Sequence, residues 1–147
     1  MRAGVIFTFT IICAVIAWMD IQKQKIYNEA VAVLFVPAIV SFFVFPEFPI
    51  MSRVLGAVSV SGVMLLVSLI SPGAFGGGDI KMMVPVGLFL GVERTLVAGL
   101  VALVLGGVWC LVHRFRSRRF AFGPALGLGS VTALLWGKHI WQWIVEI

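Results

Sequence analysis

Apolar runs of membrane-spanning length follow one another along almost the whole chain, and no other feature limits its fold as strongly. Six of them can be delimited, at residues 4–19, 30–45, 54–70, 82–92, 95–112 and 120–137. An α-helix rises about 1.5 Å per residue and the hydrocarbon core of a bilayer is about 30 Å thick, so most runs can cross it with their flanking residues. The fourth run is too short to cross unless polar neighbours such as Asp79 and Lys81 enter the membrane.

The composition agrees with a membrane protein, because 61% of the 147 residues are hydrophobic and only 12% are charged. This is too little polar surface to cover a soluble core. We therefore predict an all-α membrane protein, a bundle of about six transmembrane helices, with residues 1–147 forming a single domain. The net charge of +5 is scattered between apolar runs rather than gathered on one face, so we expect contact with membrane lipid and not with nucleic acid.

The loops on the two sides of the predicted bundle differ in positive charge. One side holds Lys23, Lys25, Lys81, Arg114, Arg116, Arg118 and Arg119, and the other holds Arg2, Arg53, Arg94 and Lys138. Positively charged loops are retained in the cytoplasm. We therefore predict that both termini lie outside, N-out and C-out, and that the loops after the first, third and fifth runs lie in the cytoplasm.

The cysteines and histidines do not form a recognisable metal or redox motif. Cys13 and Cys110 stand alone within apolar runs without a CxxC pattern, and His113 and His139 are predicted on opposite sides of the membrane. We therefore predict two inert thiols, no metal site and no cofactor.

Asp20 and Asp79 are the only aspartates of the chain, and both lie at the predicted cytoplasmic boundary. An ionisable group at membrane depth is costly, which makes each a candidate functional residue. When two carboxylates are held close together, one pKa rises and the pair shares a proton, as an aspartic protease requires. The ionised member takes a proton from water, and the protonated member hydrogen-bonds the scissile carbonyl. Two structural interpretations stay open: Asp79 as a helix N-cap, and Asp20 as a solvated helix end.

Three sequence blocks, at residues 20–28, 71–81 and 122–126, resemble the type IV prepilin peptidase family in content and order. The second block contains the family's GxGD motif, Gly76-Gly77-Gly78-Asp79, followed by Lys81, and is the most specific. The resemblance implies that Asp20 and Asp79 form a catalytic pair within a six-helix membrane core. Tyr27 stands where the family commonly has proline, so the turn after Asp20 is expected to differ.

The same resemblance suggests residues that shape the site. A glycine loop at Gly76, Gly77 and Gly78 can adopt positive φ and lets a substrate backbone approach closely. Asn28 is expected to cap the second helix, and Pro124 to kink or start a helix. Lys81 either stabilises the ionised aspartate pair or extends to lipid headgroups.

Together these features predict an intramembrane or membrane-boundary aspartic endopeptidase that cleaves the basic leader from type IV prepilins or pseudopilins at the cytoplasmic face of the inner membrane. The chain looks like the short, peptidase-only form associated with tight-adherence pilus systems, because the cysteine-containing methyltransferase segment of larger members is not recognisable in it. The alternatives are a small proton-coupled transporter that uses both aspartates as a relay, and a structural subunit in which they only cap helices.

Overall fold

The computed structural model describes residues 1–112 and 122–147, with the exception of the side chain of Cys110. Several residues used in the sequence predictions therefore lie outside the described part of the chain. They are the thiol of Cys110 and the whole of His113, Arg114, Arg116, Arg118 and Arg119.

The described residues form helices and connecting turns. The helices are α1 (Arg2–Lys23), α2 (Asn28–Val44), α3 (Ile50–Ile70), α4 (Gly77–Leu90), α5 (Val92–Val112) and α6 (Gly123–Glu146). Each predicted apolar run coincides with one of them, so the prediction of an all-α membrane protein is confirmed.

The helices differ in their capacity to cross a bilayer. Three segments are long and apolar enough to do so, namely α1, α3 and the Val92–Trp109 part of α5, while α2 is apolar but shorter. With 14 residues, α4 has a length of about 21 Å at the usual helical rise, less than the hydrocarbon thickness. The chain is therefore a multi-pass membrane protein whose fourth helix is short, as its sequence predicts.

Individual residues explain where several helices begin and end. Gln24 adopts a left-handed conformation with φ 50° and closes α1, donating its backbone N–H to the Asp20 carbonyl at 2.8 Å. Gly91, with φ 76°, separates α4 from α5. Pro124 lies in the first turn of α6, where the missing N–H interrupts no helical hydrogen bond.

Helix α4 occupies the middle of the bundle. It packs mainly against α2 and α3 and also touches α5 and α6, whereas α1 packs mainly against α6 and α2. Accordingly, α4 contributes a large share of the core, including Met82, Met83 and Val86, which are fully buried. Any polar group on the inner face of α4 is therefore shielded from water and lipid by neighbouring helices.

The contact between α3 and α4 depends on two glycines. A Cβ at Gly56 would lie 2.7 Å from the Gly87 carbonyl oxygen, and a Cβ at Gly87 would overlap the Gly56 backbone. Small residues let two helix backbones approach closely. This contact holds the C-terminal half of α4 against α3. The first turn of α4, with Asp79, lies at the other end of the helix, at one end of the bundle.

The opposite end of the bundle contains a buried arginine. Arg53 belongs to the first turn of α3 and is 1% exposed, so the prediction that it is an external loop charge is wrong. Its guanidinium donates to the carbonyls of Ser41, Phe45 and Leu88 and to the Ser41 hydroxyl, at 2.6 to 3.1 Å. A single side chain thus joins the ends of α2 and α4 to the start of α3.

Candidate active site

Asp20 lies in the last turn of α1, and its side chain points into the bundle. It is only 5% exposed, so its interpretation as a solvated helix end is wrong. Its Oδ2 accepts a 2.8 Å hydrogen bond from the backbone N–H of Gly123, the first residue of α6. A free N–H at a helix N-terminus favours a negative partner, so α6 both orients this carboxylate and stabilises its charge.

Asp79 is the third residue of α4 and is 7% exposed. Its Oδ2 accepts a hydrogen bond of 3.2 Å from the backbone N–H of Gly76, the residue that precedes the helix. The N-cap position therefore belongs to Gly76 and not to Asp79, but Asp79 takes part in capping α4 as the third residue of a capping box. Its other oxygen, Oδ1, is buried and has no hydrogen-bond partner among the described residues.

The fold brings the two carboxylates to the same end of the bundle, where Ile26 of the turn after α1 packs against Gly78, the residue before Asp79. Phe75 and Phe122, which directly precede the two glycines that donate to them, also meet there, with ring centroids 5.2 Å apart. Burial and mutual repulsion disfavour a doubly ionised pair. A pair with one proton contains both an acid and a base, which is the equipment for activating water and polarising a carbonyl.

The glycine run differs from its predicted conformation. Gly76 has φ −70°, Gly77 and Gly78 already belong to α4, and none of the three has a positive φ. Gly78 is constrained by space instead, because a Cβ there would lie 2.7 Å from the Cβ of Ile26, whereas a Cβ on Gly77 would meet nothing within 4 Å. The glycine at position 78 therefore permits close contact within the chain, between α4 and the turn after α1.

Asn28 and Lys81 interact with each other. The Lys81 ammonium donates to the Asn28 side-chain oxygen at 3.1 Å, and both residues are exposed. Tyr27 occupies the N-cap position of α2 without a side-chain capping bond, so the prediction that Asn28 caps this helix is wrong. Among the described residues the only ion pair is Arg2–Glu47, so no salt bridge joins Lys81 to either aspartate.

Sequence reasoning missed four residues that contact the carboxylates or their supports. Gly123 donates to Asp20, Ile26 packs on Gly78, and Phe75 and Phe122 meet each other. Gly123 stands beside Pro124 in the third sequence block, where attention to the helix N-terminus could have found it. Ile26, Phe75 and Phe122 also lie within the three sequence blocks, but their contacts join residues far apart in the chain, and one sequence does not show which of them meet.

The described residues contain no group of three or more His, Cys, Asp or Glu side chains that could hold a metal ion. Cys13 is buried as a free thiol in the core. The two carboxylates and the backbone N–H groups that donate to them are therefore the buried polar groups that the structure places together at this end of the bundle.

Fold and site together define a multi-pass helical membrane protein with a buried aspartate pair at one end of its bundle. The family model described as the type IV leader peptidase family matches residues 7–111, and the chain belongs to this family.

The relatives that the chain resembles are also named as leader peptidases. The chain is 26% identical to the prepilin leader peptidase/N-methyltransferase of Bacillus subtilis over 95% of its own length and 58% of the relative's. It is 33% identical to the protein of that name from Neisseria gonorrhoeae, over 64% of this chain and 35% of the relative. The chain thus spans little more than half of the Bacillus protein and about a third of the Neisseria one. No solved structure is significantly similar to it.

Proposed function

We propose that this chain is an aspartic endopeptidase that removes the leader from type IV prepilins or pseudopilins, with Asp20 and Asp79 as its catalytic pair. The observation that carries the proposal is the buried, unpartnered Oδ1 of Asp79 beside a second buried carboxylate. A buried polar atom without a partner is costly and rare in a folded protein. Such an atom is positioned for a group that arrives from outside, such as water or the substrate.

In the proposed reaction the ionised aspartate takes a proton from a water molecule, whose oxygen attacks the scissile carbonyl carbon. The protonated aspartate donates a hydrogen bond to the carbonyl oxygen and stabilises the developing negative charge. When the tetrahedral intermediate collapses, the C–N bond breaks and the leaving amine receives a proton from the pair. The hydrogen bonds from Gly123 and Gly76 hold one oxygen of each carboxylate, which limits rotation of both groups.

The substrate bond is expected to lie between a basic leader and an apolar helix, with glycine just before the cut. The turn at residues 71–76 is largely exposed and carries Gly76 next to Asp79, so a substrate can reach the pair from this side. A helical peptide bond is shielded by its own turn, so local unwinding of the substrate precedes attack.

The proposed site faces the cytoplasm from the inner membrane. Lys23, Lys25 and Lys81 are exposed at the same end of the bundle as the aspartates, as the positive-inside rule requires of a cytoplasmic end. The proposed peptidase unit comprises residues 1–147. The relatives' names include N-methyltransferase, whereas for this chain we propose only peptide-bond hydrolysis.

The alternative of a proton-coupled transporter finds no support in the family match, which points to leader peptidases. The structural-subunit alternative requires both aspartates to act only as helix caps. Each carboxylate does accept from an N–H at a helix N-terminus, Asp79 from Gly76 and Asp20 from Gly123, but only through Oδ2, and capping alone does not explain the buried Oδ1 of Asp79 that has no partner among the described residues.

The proposal is tested with the purified chain in lipid nanodiscs, a candidate prepilin, and mass spectrometry of the product N-terminus. We expect one cut, directly after the glycine that precedes the apolar helix. A matched prepilin in which that glycine is replaced by valine serves as the substrate control. Uptake of protons by reconstituted vesicles without any cleavage would instead support the transporter.

A further inference from the structure

The aspartate pair is supported by a repeated local pattern. Each carboxylate accepts a hydrogen bond through its Oδ2 from a glycine N–H, Asp79 from Gly76 and Asp20 from Gly123. Each of these glycines directly follows a phenylalanine. The chain contains 12 phenylalanines, and Phe75 and Phe122 are the only ones followed by glycine.

The two donor segments meet through these phenylalanines. The rings of Phe75 and Phe122 lie 5.2 Å apart between centroids with an interplanar angle of 63°, an edge-to-face contact. Phe122 is 8% exposed and Phe75 is half-buried, so the contact is largely shielded. Such pairs stabilise a folded protein by about 0.5–1.5 kcal/mol in addition to the contribution of the apolar area that they bury.

Backbone and carboxylate approach closely at these two glycines. A Cβ on Gly76 would lie 2.9 Å from Asp79 Oδ2, and a Cβ on Gly123 would lie 2.6 Å from Asp20 Oδ2. Each carboxylate therefore rests directly against the peptide that donates to it. A displacement of either peptide displaces its carboxylate.

Helices α1 and α4, which carry the two aspartates, share no extensive contact, and their ends meet locally where Ile26 packs on Gly78. Helix α1, which carries Asp20, packs mainly on α6 and α2, whereas α4, which carries Asp79, packs mainly on α3 and α2. The ring contact joins the turn before α4 to the start of α6, next to both donor glycines. It directly joins the two segments that contain the donor peptides, beside the contact of Ile26 with Gly78.

We infer that Phe75 and Phe122 form a positioning pair that couples the Gly76 and Gly123 N–H donors and thereby sets the relative placement of the two carboxylates. This inference rests on the proposed function. Neither ring is assigned a contact with the substrate. The ring pair is expected to affect cleavage only through the placement of the aspartates. Loss of either ring is therefore expected to lower kcat and to leave KM nearly unchanged.

The kinetic test uses Phe75→Leu, Phe122→Leu and the double variant, since leucine keeps apolar volume but cannot form the ring pair. We expect each single variant to lower kcat about 2- to 10-fold, the range that follows from loss of one aromatic pair. The double variant is expected to be no worse than the poorer single one, because both remove the same contact. Phe75→Tyr keeps the ring and is expected to restore most of the activity.

Phe45→Leu is the matched control, because Phe45 is half-buried and makes an edge-to-face contact with Phe48 at the far end of the bundle. Its kcat is expected to stay within twofold of the wild type. The inference would be overturned if kcat fell equally in Phe45→Leu and Phe75→Leu. It would also be overturned if the loss of kcat in the double variant were the product of the losses in the two single variants.

A second measurement does not depend on cleavage. Labelling with carbonyl-¹³C phenylalanine and ¹⁵N glycine selects Phe-Gly peptides, so only the Gly76 and Gly123 amides are observed by NMR. We expect Phe75→Leu to shift the Gly123 amide proton and Phe122→Leu to shift that of Gly76. If the Gly123 amide signal is unchanged in Phe75→Leu and the Gly76 amide signal is unchanged in Phe122→Leu, the inference fails even where the enzyme is active. If both of these amide signals do shift while the wild type cleaves no prepilin, the proposed function fails and the coupling of the two donor peptides stands.

Discussion

At one end of the bundle the buried guanidinium of Arg53 donates to four oxygen acceptors and lies over the rings of Phe42 and Phe48, whereas at the other end buried Asp79 keeps an oxygen without a partner. Both ends place a charged side chain among helices. Only one of them satisfies it within the part of the chain that the structure describes.

This difference separates a structural charge from a reactive one. A buried charge with complete hydrogen bonding rigidifies its surroundings, and its acceptors lose their partners if it is removed. A buried carboxylate with an open oxygen beside a second carboxylate adds little to stability and can take up a proton or a substrate group. Variants at the two ends should therefore show opposite combinations of stability and activity.

The largest effect is expected at the aspartates. Asp20→Asn and Asp79→Asn keep the size of the side chain but can neither ionise nor share the proton, so each is expected to lower cleavage by at least about 100-fold, as for loss of general acid–base catalysis. Processing is measured with purified protein and a candidate prepilin. The amount of protein in the membrane and its melting temperature in detergent should remain near those of the wild type. Wild-type processing by either variant would contradict the catalytic pair.

Arg53→Met is expected to show the reverse combination. It removes four hydrogen bonds, although the carbonyls of Ser41 and Phe45 each keep a backbone donor, so we expect the free energy of unfolding to fall by about 2 kcal/mol, from the usual cost of unsatisfied buried groups. The cleavage rate per folded molecule should be unchanged, because Arg53 lies at the opposite end from the aspartates. Stability is measured by thermal denaturation in detergent, with exposed Arg2→Met as the matched control. A loss of kcat with no loss of stability would break the proposed separation of the two ends.

Gly78→Ala is expected to have an intermediate effect on the reactive end. A Cβ at this position would collide with Ile26 and push the first turn of α4, with Asp79, away from α1. We expect an activity loss of about 10-fold, corresponding to about 1.4 kcal/mol in the barrier, and a larger one for Gly78→Val. Gly77→Ala is the control, since it adds a Cβ one residue earlier in open space. Equal activities of the two alanine variants at matched protein levels would show that the contact with Ile26 does not position Asp79.

The comparison of the two ends also shows what one sequence can reveal. Hydropathy locates each helix, because lipid imposes a long apolar run on every span, but it does not fix all helix ends: α6 continues to Glu146, beyond the apolar run that ends at residue 137. Asp20 and Asp79 can be predicted as candidate functional residues because charge is rare at membrane depth. The prediction that Arg53 is an external loop charge is wrong because a count of positive residues between apolar runs cannot distinguish a loop from the first turn of a helix. The acceptors that bury it lie on α2 and α4, and only tertiary structure brings them together.

The smallest effect is expected for Lys81, which stands next to the reactive end but belongs to neither kind of site. Its ammonium is exposed and donates to Asn28, and exposed polar contacts of this kind contribute little in water. Lys81→Gln keeps hydrogen-bonding capacity without the charge, so we expect processing to change by less than about twofold, within what an exposed contact contributes. Initial cleavage rates at low and high salt measure the effect, and Lys23→Gln, another exposed lysine at this end, controls for the loss of one surface charge. A loss comparable to that of Gly78→Ala would place the ammonium in electrostatic contact with the aspartates when the substrate is bound, which would extend the reactive site beyond its buried carboxylates.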